Sequence, residues 1–131
     1  MALRETDIVT GLYTPGFLIA FGARELAFAI EQGYPLSVIT ARLEGTGELK
    51  DLGDLVRNAT GEGSIVAMLD DNEVAALLPG VGRDKASEIA RRIEKTAHAG
   101  VSIGSATSSA ETGEFPELLR RARLAIGGTN R

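Results

Sequence analysis

Apolar positions along the chain switch repeatedly between a helical and an extended period. Between Phe17 and Ile30, Phe17, Phe21, Arg24 and Phe28 share one stripe, which Leu18, Ala29 and Ile30 widen. That spacing predicts an amphipathic helix with the phenylalanines in the core. Thr14 is a favourable N-cap, Pro15 suits the first helical position, and Gly33 closes the C-terminus. After Gly33-Tyr34-Pro35, the short run from Leu36 to Leu43 is rich in β-formers and predicts a strand. Leu49, Leu52, Leu55 and Val56 return to helical spacing, predicting a second helix from Glu48 to Ala59 that Thr60-Gly61-Glu62-Gly63 ends.

Two apolar runs follow, Ser64 to Leu69 and Val74 to Leu78, joined by Asp70-Asp71-Asn72-Glu73. Asp and Asn tolerate left-handed backbone angles, so this is read as a tight antiparallel hairpin with an acidic tip. Pro79-Gly80 closes it. Ala86, Ile89, Ala90, Ile93 and Ala97 predict the buried face of a third helix, Asp84 to His98. Gly100 to Ala106 reads as the fourth strand, Thr107 to Gly113 as a polar loop, and Phe115 to Ile126 as a last helix. Gly127-Gly128-Thr129-Asn130-Arg131 carries no packing pattern.

The resulting order is a helix, then βαββαβ, then a helix. This is an α+β arrangement of the ferredoxin-like or nucleotidyl-cyclase type: one antiparallel sheet with helices packed on one face, extended by an N-terminal and a C-terminal helix. Without repeats or linkers, residues 1–131 read as a single domain.

Composition narrows the function classes. The 131 residues are 44% apolar and 24% charged, as in an ordinary soluble globule. No apolar run approaches the roughly 20 residues needed to cross a bilayer. The segment Met1 to Asp7 lacks the apolar core of a signal peptide, so a cytoplasmic address is expected. The absence of cysteine removes disulfide and thiol chemistry. A net charge of −4 argues against a nucleic-acid partner, and membrane contact is not expected. Arg91-Arg92 and Arg120-Arg121-Ala122-Arg123 lie in helical patterns and read as solvated faces. His98, the single histidine, stands near a helix end, where it suits the helix dipole better than a metal. Ser102, Ser105, Thr107, Ser108 and Ser109 cluster without a base to activate them. Gly80-Val81-Gly82-Arg83-Asp84 is a lone G-x-G followed by an acid, a weak phosphate-loop signal.

Three motifs, in order, resemble the GGDEF domain, the diguanylate cyclase fold of bacterial signalling that joins two GTP molecules into cyclic di-GMP. Asp7-Ile8-Val9-Thr10-Gly11-Leu12-Tyr13, then Phe17, is similar to the opening D-x-L-T-G-L-x-N-R-x-x-F. Glu73-Val74-Ala75-Ala76-Leu77-Leu78-Pro79-Gly80 resembles the strand after the signature turn. Val101-Ser102-Ile103-Gly104-Ser105-Ala106 resembles the V-S-I-G-x-A strand. The resemblance spans nearly the whole chain.

The positions that carry the family's chemistry depart from its pattern. The signature falls on Asp70, Asp71, Asn72, Glu73 and Val74, where Glu73 alone matches. Two aspartates in place of the glycines set bulk and negative charge beside a polyanion. The family's metal-binding aspartate lands on Arg42, which has no acceptor and stays protonated, so it is no Mg²⁺ ligand. The F-K-x-x-N-D stretch implied in guanine recognition is missing, only Gly45-Thr46-Gly47 standing before the second helix. The product-inhibition motif R-x-x-D would fall on Gly61 and Ser64. The terminal A-K-x-x-G-R-N-R segment is reduced to Gly127-Gly128-Thr129-Asn130-Arg131.

Accordingly no catalytic, cofactor-binding or metal residue is assigned, and no cofactor is expected. Asp70, Asp71, Glu73 and Glu44 as a new divalent-cation site is one reading of the acidic tip. The favoured reading is that Arg42 pairs with Glu73 or Asp70 and replaces the metal, so that Arg42→Ala costs more than the ~1 kcal/mol of an exposed pair. The expected function is a catalytically inactive regulatory or scaffolding module that contacts another signalling protein or domain, or a second copy. The surfaces for this are the helical faces near Leu118, Leu119 and Ile126, or a sheet edge. The alternative is a non-catalytic receptor for GTP or cyclic di-GMP, with Arg42 and Arg83 as its cationic candidates.

Overall fold

Thr14 opens the first helix through its own side chain: its Oγ1 accepts the Phe17 N–H at 3.2 Å, and Pro15 takes the first turn. At the far end Gly33 adopts φ 81°, a left-handed angle that suits glycine, and donates its N–H to Ala29 at 2.7 Å. The computed structural model describes residues 5–61, 64–97 and 100–126. His98, Glu62-Gly63 and the tail from Gly127 therefore lie outside the described residues. The elements are α1 (Pro15–Gln32), β1 (Leu36–Leu43), α2 (Leu49–Thr60), β2 (Ile65–Asp70), β3 (Glu73–Pro79), α3 (Arg83–Ala97), β4 (Val101–Thr107) and α4 (Phe115–Leu124).

The four strands form one sheet in the order β2-β3-β1-β4, every neighbouring pair antiparallel. This is the α+β sheet of nucleotidyl-cyclase type that the element order predicts. The expectation of helices on a single face is corrected. Ile39, Ala41, Val74, Ala76 and Ile103 pack with Leu52, Val56, Ile89 and Ile93 of α2 and α3. Val38, Ala75 and Leu77 pack on the opposite side with Leu18, Leu26, Phe115 and Leu118 of α1 and α4. The reason lies in β3, a near-continuous apolar run from Val74 to Leu78, and in β1, which is buried on both faces from Leu36 to Ala41. Such strands have no face to offer to water.

The stripe assigned to α1 is corrected as well. Its buried positions are Leu18, Gly22, Leu26 and Ala29, while Phe28 is 51% exposed and Ile30 47%. Phe17 and Phe21 are half-buried and stack in series with Tyr13, ring centroids 4.3 and 5.4 Å apart. Gly22 is where the Phe115 ring of α4 lies against α1: a Cβ there would stand 2.5 Å from that ring. A small residue, not a large one, sets this interface.

The two borders of the sheet differ. Beside β2, Tyr13 accepts the Met68 N–H at 2.9 Å and donates to the Val66 carbonyl at 3.3 Å, bridging in parallel to Ala67. At the other border, among the described residues, β4 pairs with β1 alone.

Candidate functional site

The hairpin between β2 and β3 turns on Asp71-Asn72, with Asp70 opposite Glu73 and a register shift between Met68 and Asp70. Asp70 Oδ1 accepts the Asn72 N–H at 3.0 Å, a local bond that suits these residue types to the turn. The Asn72 carbonyl in turn accepts the Leu43 N–H at 2.8 Å, tying the tip to the end of β1. Asp71 and Asn72 are exposed, and Val74 is fully buried in the α2–α3 core.

Glu73 is the exception at the tip, at 1% exposure. Side chains alternate along a strand, so Glu73 faces the same side as Ala75 and Leu77, under α1 and α4. Arg42 lies directly opposite it in the β1–β3 register. The expected Arg42–Glu73 pair is present but long, 4.0 Å from Nε to Oε1. Arg123 of α4 is the closer partner. Its Nη2 donates to Oε1 at 2.9 Å and its Nε to Oε2 at 3.1 Å, engaging both carboxylate oxygens in the strong bidentate geometry. Arg123 Nη2 also stands 3.6 Å from Asp70 Oδ2.

This corrects the reading of Arg120-Arg121-Ala122-Arg123 as a uniformly solvated face. Arg120 stays outside, bound to Glu117 at 2.9 Å, but Arg123 turns onto the sheet. A sequence signal existed. Arg123 follows Leu119 by four residues and so borders the buried stripe of Phe115, Leu118, Leu119 and Ala122.

What holds Arg123 over Glu73 is the seating of α4. The Thr40 hydroxyl donates to the Ala122 carbonyl at 3.1 Å. Gly104 lets the helix backbone reach β4: a Cβ there would strike the Ala122 carbonyl oxygen and lie 2.7 Å from the Ile126 nitrogen. The hydrogen bonds that Arg123 donates to Glu73 raise its pKa; partial burial opposes this, and the charges of Glu73 and Asp70 add to the rise. The corner thus sets two guanidiniums against two carboxylates.

Other sequence candidates are placed elsewhere. Glu44 is exposed, and among the described residues no three acidic, histidine or cysteine side chains converge as a metal site. At the position of the product-inhibition motif, Ser64 Oγ donates to the Gly61 carbonyl at 2.8 Å and meets Thr60 Oγ1 at 2.7 Å, closing the end of α2. Arg83 does not join Arg42. It opens α3 beside Val81, whose carbonyl accepts from Ser37 near the start of β1. Arg42 lies five residues further along that strand, about 16 Å at the usual rise. Leu118 and Leu119, expected as contact surface, are buried at 0% and 7% against the sheet and α1.

The model of the GGDEF-like domain matches residues 19–127. The chain belongs to the GGDEF-like domain family. Solved GGDEF structures share its fold at low identity. The FimX GGDEF domain from Pseudomonas aeruginosa is 22% identical over 94% of this chain and 91% of its own, with a TM-score of 0.83. The GGDEF domain of DgcB from Caulobacter crescentus, solved with c-di-GMP, is 18% identical over 95% and 88%, at 0.73. The diguanylate cyclase SiaD of Pseudomonas aeruginosa, solved with its activator SiaC, is 14% identical over 92% of this chain and 55% of its own, at 0.79. No curated protein matches the sequence.

Proposed function

We propose that this GGDEF-like domain is a non-catalytic regulatory or scaffolding module of bacterial signalling, acting through contact with another protein. The observation that carries the reading is the bidentate Arg123–Glu73 pair. Glu73 is the one signature acid that matches the family, and both its oxygens are engaged by a guanidinium. A divalent cation needs carboxylate oxygens and is repelled by adjacent fixed positive charge. Arg42, across the strand pair from Glu73, sets a second cation where the family pattern has an aspartate. The tip itself presents Asp70 and Asp71 where phosphate would approach. SiaD in complex with its activator shows that a protein of this fold engages a protein partner, which supports the same role here. Among the described residues no helix is long and apolar enough to cross a membrane.

Titration calorimetry with GTP plus Mg²⁺, and separately with cyclic di-GMP, tests this, together with a chromatographic assay for cyclic product. The expected result is no heat with either ligand and no product. Micromolar binding of either nucleotide makes the domain a receptor and overturns the proposal, as does turnover. Arg42 and Arg83, the cationic candidates of the receptor reading, stand at opposite ends of β1 rather than converging at the tip, which weighs against that reading.

A further inference from the structure

The open border of the sheet carries a feature that the Glu73 corner does not explain. Along β4 runs a groove of about 800 Å³, walled by α3 on one side and α4 on the other. Its charged lining is Arg83, Arg91 and Glu94 from α3 and Arg121 from α4. All four are exposed, and among the described residues none of the three arginines makes an ion pair. A chain of net charge −4 has therefore gathered three unmatched guanidiniums beside one carboxylate.

The floor of the groove is β4, from Ser102 to Thr107. Ser108 donates its N–H to the Leu36 carbonyl and Glu44 donates to that of Gly100, each at 2.8 Å. These bonds bracket the β1–β4 pairing, whose register runs without a shift from Ser37–Thr107 to Leu43–Val101. In an antiparallel pair the bonded residues alternate. Ser102, Gly104 and Ala106 therefore turn their amides toward β1. Val101, Ile103, Ser105 and Thr107 turn theirs outward, the last three along the groove. The opposite border has Tyr13 bonded to Val66 and Met68 of β2, so among the described residues β4 is where the sheet offers a row of donors and acceptors without a neighbouring strand.

We propose that this groove receives an extended acidic segment of a partner protein, which adds to the sheet as a strand beside β4. Strand addition takes its affinity from main-chain hydrogen bonds and its selectivity from alternate side chains. The spacing of the arginines sets a pattern for those side chains. Arg83 and Arg91 are eight residues apart on α3, about 12 Å along the helix. Strand residues four apart share a face and are separated by about 13 Å. Acidic side chains four residues apart in the incoming strand thus reach both arginines, and one on the alternate face reaches Arg121. Glu94 disfavours an acid beyond that register. A second copy of this chain is the poorer occupant, because pairing β4 with itself sets these arginines against their own kind. The inference deepens the regulatory reading by naming the partner's chemistry and rests on that reading for its biological role.

The test is an NMR titration of the domain with a capped eight-residue peptide that alternates valine with polar residues, with glutamate at its third and seventh positions. Saturable shifts are expected at the amides of Val101, Ile103, Ser105 and Thr107, with slowed hydrogen exchange there. Lysine in place of both glutamates, or the Arg83→Glu/Arg91→Glu double variant, is expected to weaken binding at least tenfold. Ser105→Pro removes an outward N–H, which an edge strand tolerates, and is expected to abolish binding in a folded domain. The same peptide N-methylated at alternate amides asks that question without altering the protein, and it too is expected not to bind. Absence of saturable shifts, equal binding of the lysine or N-methylated peptide, or equivalent shifts with pyrophosphate alone each overturns the proposal. Nucleotide binding reads the Glu73 corner instead, so either proposal can fail while the other stands.

Discussion

Arg123 and Glu73, fifty residues apart in the chain, are joined by two hydrogen bonds of 3.1 and 2.9 Å that close the hairpin tip against the last helix. Glu73 is 1% exposed, whereas the Arg123 side chain is 42% exposed. The two partners therefore differ in what their removal leaves behind.

Arg123→Ala strands a buried carboxylate with only the distant Arg42 to neutralise it. The loss is expected at about 2–3 kcal/mol, below the 3–5 of a fully buried pair because water reaches the arginine. Arg42→Ala removes the 4.0 Å contact and is expected to cost about 1 kcal/mol or less, which revises the larger loss expected from sequence. Urea denaturation of both variants checks the order. Equal losses, or a larger one for Arg42→Ala, would show that the cross-strand pair matters more.

Glu73→Gln leaves no charge in the buried position and keeps an acceptor for Arg123. It is expected to destabilise less than Arg123→Ala, by about 1 kcal/mol or more in the comparison. A Gln variant as unstable as the Ala variant refutes the view that stranded charge is what costs.

The pH dependence follows from the direction of the Arg123 shift. Its pKa is raised in the folded state above its unfolded value. Such a group contributes its full stabilisation below the unfolded value and loses it only as pH rises through the folded one, here far into the alkaline range. The stability difference between wild type and Arg123→Ala is therefore expected to be the same at about pH 7 and pH 9. A difference that shrinks across that interval contradicts the assignment.

Restoring the glycines of the signature is expected to change little. The double variant Asp70→Gly/Asp71→Gly removes two negative charges from the tip but leaves Arg42 and the Arg123–Glu73 pair in place. Calorimetry with GTP and Mg²⁺ is expected to remain silent. Binding by this variant would locate the decisive obstacle at the turn rather than beneath it.

Two glycines in contrasting settings test the seating of α4. Gly104→Ala drives a methyl into the Ala122 and Ile126 backbone, which cannot rotate away, and is expected to cost about 2 kcal/mol or more. Gly16, in the first turn of α1, has open space around it, and alanine there is expected to add about 0.5–1 kcal/mol. Thermal melts shifted in opposite directions confirm the pair. A neutral Gly104→Ala indicates that the helix can lift without loss.

Much of the fold was legible because its signals are local. The cap at Thr14, the turn at Asp71-Asn72 and the helical spacing of Leu49, Leu52 and Val56 each report on neighbours a few residues away. What the pattern hid was the second layer of helices and the true buried stripe of α1. Counting large residues favoured Phe17, Phe21 and Phe28. The packing against Phe115 is instead governed by Gly22, whose contribution is the space it leaves. The acidic tip and Arg42 were readable from the hairpin and from strand register. For Arg123 the helix declares only that it borders the buried stripe; its partner was not readable, because a carboxylate fifty residues earlier leaves no mark on that helix.

Tyr13 has a consequence for assembly. By occupying the flank of β2 at Val66 to Met68 it leaves, among the described residues, β4 as the border without a neighbour, the one to which strand addition is proposed. Edge-to-edge growth into filaments needs both borders. This architecture ends such growth at a single added strand, so its edge can be offered in solution without seeding a polymer.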